Sequence, residues 1–414
     1  MLAMDAIESF HVINLGCKVN KVESDGYSMQ LLGFGLFQAP LEDAHLVVIN
    51  TCAVTAEAEK KTRKTVRHAV ASNNHARVVV TGCSSALHPE EYEAISPRVT
   101  VVSKPESTLF FNKMFPSCGH EAVISVPVGG GFRSRVGVKV QDGCNNECTY
   151  CIVHVARGKA YSRNANEIIK EVVAYAQAGV REIVLTGINL GTYEGELNGQ
   201  VLDLAALLQH MINATASFAD KDNLVRFRIS SIEPMNVSES LMDMIAAHPH
   251  RICRHLHLPL QAGSSKVLKE MNRPYSAEQF QDLVKRLRDK IPGLSLSTDI
   301  IVGFPGETDA EFQETCAVAR ACAFSKIHVF PYSIRQGTPA AIRIDQVDST
   351  LKHERARVLR QLGQELARQD FQSRSGTWEY ALVESDGTWM TESYHSVDAP
   401  CVAPQGTLVK YTFS

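Results

Sequence analysis

The sequence predicts an α/β protein with two parallel-sheet regions and a small β segment at its C-terminal end. Short β-rich runs alternate with amphipathic stretches between His11 and Val102, and a second alternating series extends from Arg135 to Tyr332. Strands that alternate with helices are typical of βαβ units, whose strands lie parallel. After these series come short β runs separated by glycine-bearing turns, which predict a separate small β domain.

The first region contains four β-rich runs, HVINL, HLVVIN, RVVVTG and RVTVV. The stretch from Thr55 to Ala71 between them predicts a helix, so the region is expected to form a parallel sheet. Prolines and a Gly129–Gly131 triplet then interrupt the pattern, which predicts a domain boundary near residues 120–133. We therefore expect a first domain over residues 1–125.

The second region contains six β-rich runs: VGVKV, REIVLTG, VRFRIS, HLHLP, LSLSTDIIVG and KIHVFPY. Helical patterns separate them, near residues 166–178, 204–212, 238–247, 276–289 and 309–322. This order predicts a (β/α)6 sheet or partial barrel over residues 134–368, with its active site at the carboxyl ends of the strands. A polar helical stretch, about 349–370, leads to the β segment at 371–414.

Length and charge exclude a single small module and a protein that binds nucleic acid through an overall positive charge. A chain of 414 residues is long enough for two to three domains of about 150 residues. Its 42 Lys and Arg against 45 Asp and Glu give a net charge of −3, so any nucleic-acid contact requires a local basic patch. The sequence MLAMDAIESF lacks a positive signal-peptide region, and no 18 apolar residues run together, so we expect a cytoplasmic protein without a membrane segment.

Three cysteines form a compact C-x3-C-x2-C motif at Cys144, Cys148 and Cys151, directly after VGVKV. Because eleven cysteines in a chain without an export signal are expected to stay reduced, metal binding is favoured over disulfides. Three thiolates this close can hold one iron–sulfur cluster. A four-iron cluster held by three cysteines leaves one iron open to an amino acid chelate, as S-adenosylmethionine (SAM) radical chemistry requires. The alternative is zinc, although zinc motifs usually pair two close couples of ligands.

Three further cysteines, Cys17, Cys52 and Cys83, each follow a predicted strand of the first region. Because successive parallel strands present their carboxyl ends at one edge of a sheet, these thiols are expected to converge. We interpret them as a second cluster site. Three unrelated buried thiols are the alternative, since Cys is a common core residue.

These motifs, in this order, resemble the radical-SAM methylthiotransferases over nearly the whole chain. The resemblance implies an N-terminal domain with an auxiliary [4Fe-4S] cluster on Cys17, Cys52 and Cys83. It implies a radical-SAM partial barrel with a second [4Fe-4S] cluster on Cys144, Cys148 and Cys151, and a short RNA-binding TRAM-like β-barrel at 371–414. No catalytic side chain beyond the cluster ligands is implied.

The resemblance extends to segments that line the SAM and substrate pocket in this family, including LTGINLGTY, RISSIEP, LPLQAGS, MNRPYS and TDIIVGFPGET. Thr186 and Gly187 end a strand and can offer backbone groups to the methionine part of SAM. Ser231 and Glu233 can accept hydrogen bonds from ribose hydroxyls. The full set of implied SAM contacts is Tyr150, Thr186, Gly187, Ser231, Glu233 and Gln261.

Within the family, LGCKVN at 15–20 and NTCAVT at 50–55 resemble the enzymes that act on N6-threonylcarbamoyladenosine at position 37 of tRNA. The implied reaction replaces the C2 hydrogen of that adenosine with a methylthio group. It needs SAM, two clusters, the tRNA anticodon stem-loop, an electron donor such as flavodoxin or ferredoxin, and a sulfur donor that the sequence does not identify. Because an aromatic C–H is not acidic enough for a side-chain base, a deoxyadenosyl radical is required.

Two rival substrates use the same clusters, an aspartate of ribosomal protein S12 and isopentenyladenosine in tRNA. A non-enzymatic iron–sulfur protein that binds RNA or senses redox state is a further alternative. Candidate RNA-binding residues lie in the first helix-rich stretch, after the compact motif and in the tail. They are Lys60, Lys61, Arg63, Lys64, Arg67, His68, Arg157, Lys159, Arg163, Trp378, Tyr380, Trp389, Tyr394, Lys410 and Tyr411. Two departures from the family are a missing proline after Cys151 and a short tail.

Overall fold

The computed structural model describes residues 7–116, 134–218 and 224–414, so the linker predicted near 120–133 lies outside the described residues. The chain divides into two compact units. The first contains the described residues up to 116 together with two short segments, Gly143–Asn145 and Cys151–Lys159. The second contains the rest. Within the described ranges, no helix combines the length and apolar character needed to cross a bilayer.

The first unit is an α/β layer built on a five-stranded sheet. Its elements in chain order are β1 (Ser9–Asn14), α1 (Lys18–Gly33), β2 (Phe37–Gln38), β3 (Leu46–Thr51), α2 (Ala56–Ser72), β4 (Arg77–Gly82), α3 (Cys83–Leu87), α4 (Pro89–Glu93), β5 (Val99–Val101) and α5 (Lys104–Met114). All pairs are parallel, in the order β2-β1-β3-β4-β5. The predicted parallel sheet is therefore confirmed.

The centre of this sheet is apolar on both faces. Every residue of β3, LVVINT, is buried, as expected for a parallel strand covered by helices on both sides. Val47 and Ile49 belong to the apolar cluster on one face, whereas Leu46 and Val48 belong to the cluster on the other. Burial on both faces fixes the register of β3, and with it the position of the residues that follow Thr51.

The second unit continues the alternation. Its elements are β6 (Arg135–Lys139), β7 (Gln141–Asp142), then after α6 (Val153–Arg157) of the first unit, β8 (Tyr161–Ser162), α7 (Ala165–Gln177), β9 (Glu182–Thr186), β10 (Gly195–Leu197), β11 (Gln200–Leu202), α8 (Leu204–Ala214), β12 (Arg226–Ile229), α9 (Glu239–Ala247), β13 (His255–His257), α10 (Ser265–Glu270), α11 (Ala277–Lys290), β14 (Ser295–Val302), α12 (Asp309–Cys322), β15 (Lys326–Pro331), α13 (Ser349–Ser373), β16 (Trp378–Val383), β17 (Trp389–Thr391), β18 (Ser396–Val397) and β19 (Leu408–Thr412). The long helix α13 separates the parallel part from the antiparallel part.

The parallel part is an open (β/α)6 barrel, as predicted. Strands β6, β9 and β12 pair in parallel, and so do β13, β14 and β15. Single parallel bridges, Phe227 to Ile252 and Ser231 to His257, join the two halves. The strand order is therefore β6-β9-β12-β13-β14-β15, which matches chain order and places the carboxyl ends of all six strands at one rim.

The barrel strands have one apolar and one polar face. In β14, Leu296 and Ile300 pack in the main hydrophobic core with residues of the surrounding helices. Ser295, Ser297 and Asp299 alternate with them and so point to the opposite, inner side. The inner surface of this half of the barrel is therefore polar.

A buried ion cluster connects the barrel to the C-terminal sheet. Glu182, at the start of β9, is fully buried and pairs with Arg226 at 2.5 Å and with Arg228 at 2.7 Å on β12. Arg226 donates a hydrogen bond to the carbonyl of Tyr380 at 2.7 Å, and Arg228 to that of Glu392 at 2.9 Å. The C-terminal strands form an antiparallel sheet, β18-β17-β16-β19, consistent with the predicted TRAM-like β domain.

The charge of Glu182 is stabilised by its neighbours. Burial would raise the pKa of its carboxyl, but the guanidiniums of Arg226, Arg228 and Arg135 outweigh burial and hold the pKa far below its ordinary value. A carboxyl whose pKa falls on folding stabilises the protein above its unfolded pKa, about 4.3, and this contribution is lost as the pH falls further. We therefore expect acid to weaken this cluster.

The substitution Glu182→Gln should lower the free energy of unfolding of this region by about 3–5 kcal/mol, because the buried guanidiniums of Arg226 and Arg228 lose their counter-charge. Both tryptophans, Trp378 and Trp389, lie in the C-terminal sheet, so urea unfolding followed by tryptophan fluorescence reports on it. Glu239→Gln is the matched control, since this exposed carboxylate pairs only on the surface and should contribute under about 1 kcal/mol. Equal unfolding midpoints for the two variants would contradict the prediction.

Candidate active site

Three cysteines follow three adjacent strands of the first unit. Cys17 precedes α1 after β1, Cys52 follows β3 directly, and Cys83 opens α3 after β4. Because β1, β3 and β4 are neighbours and aligned in register, the three residues meet at one edge of the sheet. Cys52 and Cys83 are buried, whereas Cys17 is exposed. The convergence predicted from the strand pattern is therefore present.

The backbone at Gly16 lies directly against Cys52. A Cβ on Gly16 would lie 2.6 Å from the Cβ and 2.7 Å from the Sγ of Cys52, and the φ of +116° also favours glycine. Burial raises the pKa of the Cys52 thiol, and the charges of Cys17 and Cys83 raise this pKa further. A hydrogen bond from the backbone N–H of Val54 has the opposite, smaller effect on the pKa. A bound cation centre would favour the thiolate form of Cys52.

A buried polar network holds the first of these loops in place. The side-chain amide of Asn20 donates to the carbonyls of Leu15 at 2.9 Å and Thr51 at 2.8 Å, which ties the Cys17 loop to the end of β3. Its carbonyl oxygen accepts from Arg157 at 2.7 Å. Arg157, with a side chain only 1% exposed, also pairs with Glu23 at 3.1 Å, and Lys104 pairs with the same carboxylate.

The middle cysteine of the compact motif has a charged hydrogen-bond donor in the second unit. Cys148 is buried, and a guanidinium N–H of Arg273 donates to its Sγ at 3.1 Å. Arg273 is ion-paired with Glu233 and donates to the hydroxyl of Tyr275 at 3.0 Å. The next residue, Thr149, is held by the carbonyl of Met271, which accepts its N–H at 3.1 Å. The segment MNRPYS therefore fixes the loop around Cys148.

The other two cysteines of this motif lie in segments of the first unit. Cys144 donates its N–H to the carbonyl of Gly158 at 3.1 Å. The Sγ of Cys151 accepts from the N–H of Val153 at 3.4 Å. In the same unit, α6 carries Ala156 against Cys83 and Ile152 in a small apolar cluster. Backbone hydrogen bonds and apolar packing thus shape the turns on either side of these thiols.

Five of the six predicted SAM-contact residues lie at the carboxyl ends of neighbouring barrel strands. Thr186 ends β9 and Gly187 follows it, Ser231 and Glu233 follow β12, and Gln261 follows β13. The sixth, Tyr150, packs partly buried against the main core. Adjacent strands present these residues at one rim, where ligands bind in folds of this class.

Several of these groups are already hydrogen-bonded within the protein. The Thr186 hydroxyl donates to the carbonyl of Val138 at 3.2 Å, and its own carbonyl accepts from Val140 at 2.9 Å. A Cβ on Gly187 would lie 2.9 Å from the side-chain oxygen of Gln141, so a larger residue would require that side chain to move. Glu233 is held by Arg273, which restricts the positions its carboxylate can take.

Comparison with known proteins identifies the family. Models of the Radical SAM superfamily and of the uncharacterized protein family UPF0004 match residues 138–319 and 9–103. The threonylcarbamoyladenosine tRNA methylthiotransferase MtaB of Chlamydia pneumoniae is 36% identical over 91% of this chain and 87% of its own length. The MtaB of Bacillus subtilis is 37% identical over 88% of this chain and 82% of its own length. The chain belongs to the radical-SAM tRNA methylthiotransferases.

A related activity is named among more divergent members. The tRNA-2-methylthio-N(6)-dimethylallyladenosine synthase of Pelotomaculum thermopropionicum is 33% identical to this methylthiotransferase over 92% of the chain and 87% of its own length. Among solved structures, the radical SAM methyltransferase TsrM of Kitasatospora setae superimposes with a TM-score of 0.58 at 15% identity, covering 81% of this chain and 77% of TsrM. That likeness concerns the fold alone.

The cofactors of this methylthiotransferase are SAM and two [4Fe-4S] clusters. Its two sets of three cysteines fit two clusters that each keep one iron open. Zinc motifs usually pair two close couples of ligands, whereas each set here consists of three cysteines.

Replacing Gly16→Ala should halve the iron content of the reconstituted enzyme from about eight to about four atoms per chain. The added methyl would force the Cys17 loop away from Cys52. Gly26→Ala is the matched control because this glycine lies within α1 and nothing approaches the position of its Cβ within 4 Å. Iron and sulfide analysis after anaerobic reconstitution measures the difference. Full iron content in the Gly16 variant would show that the close approach is not needed.

The sequence did not predict the contacts of Arg273 with Cys148 and with Glu233, which join residues far apart in the chain. Its only indication of Arg273 was the MNRPYS segment, which contains that residue. Arg157, interpreted as a candidate RNA contact, is buried and ion-paired, so that interpretation is wrong. A side chain in this state cannot reach a phosphate without breaking its ion pair with Glu23 and its hydrogen bond to Asn20.

The other candidate RNA-binding residues divide into exposed and structural groups. On α2, five side chains are exposed, namely Lys60, Lys61, Lys64, Arg67 and His68. In the C-terminal sheet, Trp389 is buried in the local core, so its ring is not accessible for stacking on a base. Tyr394 is partly buried, and its ring contacts the Arg228 guanidinium. Trp378 is 42% exposed, with Lys410 over its ring at 4.8 Å.

Proposed function

We propose that this enzyme replaces the C2 hydrogen of N6-threonylcarbamoyladenosine in tRNA with a methylthio group. The observation that carries the proposal is the 36–37% identity to MtaB proteins over about nine-tenths of the chain. The two family models also match both cysteine-bearing regions. The Cys17 and Cys52 motifs, LGCKVN and NTCAVT, favour the same substrate. Identity to the dimethylallyladenosine synthases is lower, at 32–33%.

The auxiliary cluster is proposed to be held by Cys17, Cys52 and Cys83. Their convergence at one sheet edge and the close approach of Gly16 support this ligand set. The SAM-binding cluster is proposed to be held by Cys144, Cys148 and Cys151. The supporting observation is the short C-x3-C-x2-C spacing within the matched superfamily region.

The remaining residues of the site bind and orient the cofactor. The proposed SAM contacts are Tyr150, Thr186, Gly187, Ser231, Glu233 and Gln261. Glu233 is suited to accept from ribose hydroxyls because its ion pair with Arg273 fixes the position of its carboxylate. When bound, SAM would supply the methyl group and the deoxyadenosyl radical, one cluster would supply the electron that cleaves SAM, and the auxiliary cluster would carry the sulfur. The polypeptide holds the reactants together and excludes water.

The macromolecular substrate is tRNA, and the reaction requires a reductant. We propose that the anticodon stem-loop is the part of the tRNA that is bound. Each unit offers its own candidate RNA contacts, namely the exposed cations of α2 in the first and Trp378 and Lys410 of the TRAM-like sheet at 371–414 in the second. A flavodoxin or ferredoxin is the proposed electron donor, and the location is proposed to be cytoplasmic, where tRNA is modified. The sulfur donor stays undefined.

Mass spectrometry of nucleosides from bulk tRNA tests the substrate. Deletion of the gene in its native host should eliminate the methylthio derivative of N6-threonylcarbamoyladenosine and leave the unthiolated nucleoside in its place. Re-expression of the intact gene should restore the derivative. If only the isopentenyladenosine derivative disappears, or only the modified peptide of ribosomal protein S12, the proposed substrate is wrong. If purified enzyme with both clusters does not cleave SAM under anaerobic reduction, a non-enzymatic role is favoured.

A further inference from the structure

We propose that His257, Asp299 and His328 form a binding site for a divalent first-row transition metal, separate from the two cluster sites. One donor atom from each of the three residues lies within 4.8 Å of the other two. The Nε2 of His257 is 3.3 Å from an Oδ of Asp299, and the imidazole rings of His257 and His328 are 5.7 Å apart. Two imidazoles and one carboxylate are a recurrent ligand set for Fe²⁺, Zn²⁺ and Mn²⁺.

The sheet brings these residues together through register rather than through sequence proximity. They lie on three adjacent parallel strands, β13, β14 and β15. His328 is the cross-strand partner of Asp299, and His257 is the partner of Ser297, two residues before Asp299. Side chains paired in this way share one face of a sheet, here the polar inner face of the barrel. The strands hold the donors close, so little ordering is needed when an ion binds.

The hydroxyl of Ser297 lies between the rings of His257 and His255. The Nδ1 of His257 is 2.9 Å from the Oγ of Ser297, and the same Oγ is 2.9 Å from the Nε2 of His255. When Ser297 accepts from the Nδ1–H of His257 and donates to His255, the Nε2 of His257 is the nitrogen that can bind an ion. Metal-binding histidines usually have their second nitrogen held in this manner.

The site is accessible enough to take an ion with further ligands. The side chain of His257 is 13% exposed and that of Asp299 is 31% exposed. Three protein donors leave open coordination positions, as in sites that also bind water or a substrate oxygen.

Titration of the cluster-loaded enzyme with Mn²⁺ tests this site, with free Mn²⁺ measured by its EPR signal while the clusters are in their diamagnetic oxidised state. Mn²⁺ is the probe because it prefers nitrogen and oxygen donors to thiolates. We expect about one Mn²⁺ per chain, and at least about tenfold weaker binding in His257→Gln, Asp299→Asn and His328→Gln. Ser297→Ala should weaken binding about 10–100-fold.

His250→Gln is the matched control. His250 pairs with Glu392 at 2.8 Å, so the variant removes an imidazole–carboxylate pair of the same chemistry that offers only two donors. Its Mn²⁺ binding should equal that of the wild type. Absence of saturable binding in the wild type, or equal binding in the site variants, would overturn the proposal. Because no SAM or tRNA is present, these outcomes are independent of the proposed methylthiolation.

Discussion

Cys144→Ala is expected to abolish release of 5′-deoxyadenosine from SAM, whereas Cys17→Ala retains this release within about twofold and loses methylthiolated tRNA. The two residues belong to different proposed clusters. The Cys144 set lies in the radical SAM region and would deliver the electron that cleaves SAM. The Cys17 set lies in the first unit and would carry sulfur. Anaerobic assays with dithionite, quantified by mass spectrometry, measure both products.

Iron content distinguishes the loss of one cluster from a general loss of folding. Each variant should lose about four of about eight irons and retain the other cluster. Cys401→Ala is the matched control, since Cys401 is an exposed thiol outside both sets, and it should keep full iron and both activities. Intact methylthiolation by the Cys17 variant would remove that residue from the mechanism. Loss of SAM cleavage in both variants would contradict a division of labour between the clusters.

The positions of the cysteines could be predicted because they depend on local pattern. Cys17, Cys52 and Cys83 each follow a β-rich run, and parallel strands place such residues at one edge whatever the details of packing. The compact motif at Cys144–Cys151 needed no tertiary information. The same logic placed Thr186 and Gly187 at the end of β9. Periodicity and strand direction were sufficient for these parts of the site.

The partners of these residues could not be predicted because they depend on long-range packing. Nothing in the spacing joins Arg273 to Cys148, 125 residues earlier. Arg157 follows a loop and suggests a solvated cation, yet it is buried against Glu23, 134 residues away. Likewise, Arg226 and Arg228 alternate with apolar residues, a pattern typical of a strand with one exposed face. Both are completely buried because the C-terminal sheet covers them. Charge in the sequence therefore did not distinguish surface cations from structural ones.

Arg273→Met should make the SAM cluster harder to reduce and slow reductive SAM cleavage at least about tenfold. The hydrogen bond from Arg273 to the Cys148 sulfur stabilises negative charge on the thiolate, and this charge increases on reduction. The reduction potential should therefore fall in the variant. EPR-monitored redox titration measures the potential, and product release measures cleavage. An unchanged potential would show that the hydrogen bond does not affect the cluster.

A double variant distinguishes this electronic effect from lost stability. Arg273→Met alone leaves Glu233 with an unpaired and largely buried carboxylate, at a cost of about 3–5 kcal/mol. Adding Glu233→Gln removes that charge and should restore most of the stability, while the cluster stays hard to reduce. Arg286→Met is the matched control because its pairs lie on the surface, half exposed, and contribute about 0–1 kcal/mol. If the double variant regained both stability and potential, the charge balance of Arg273 and Glu233, rather than the hydrogen bond to Cys148, would set the potential, since that bond is absent from both variants.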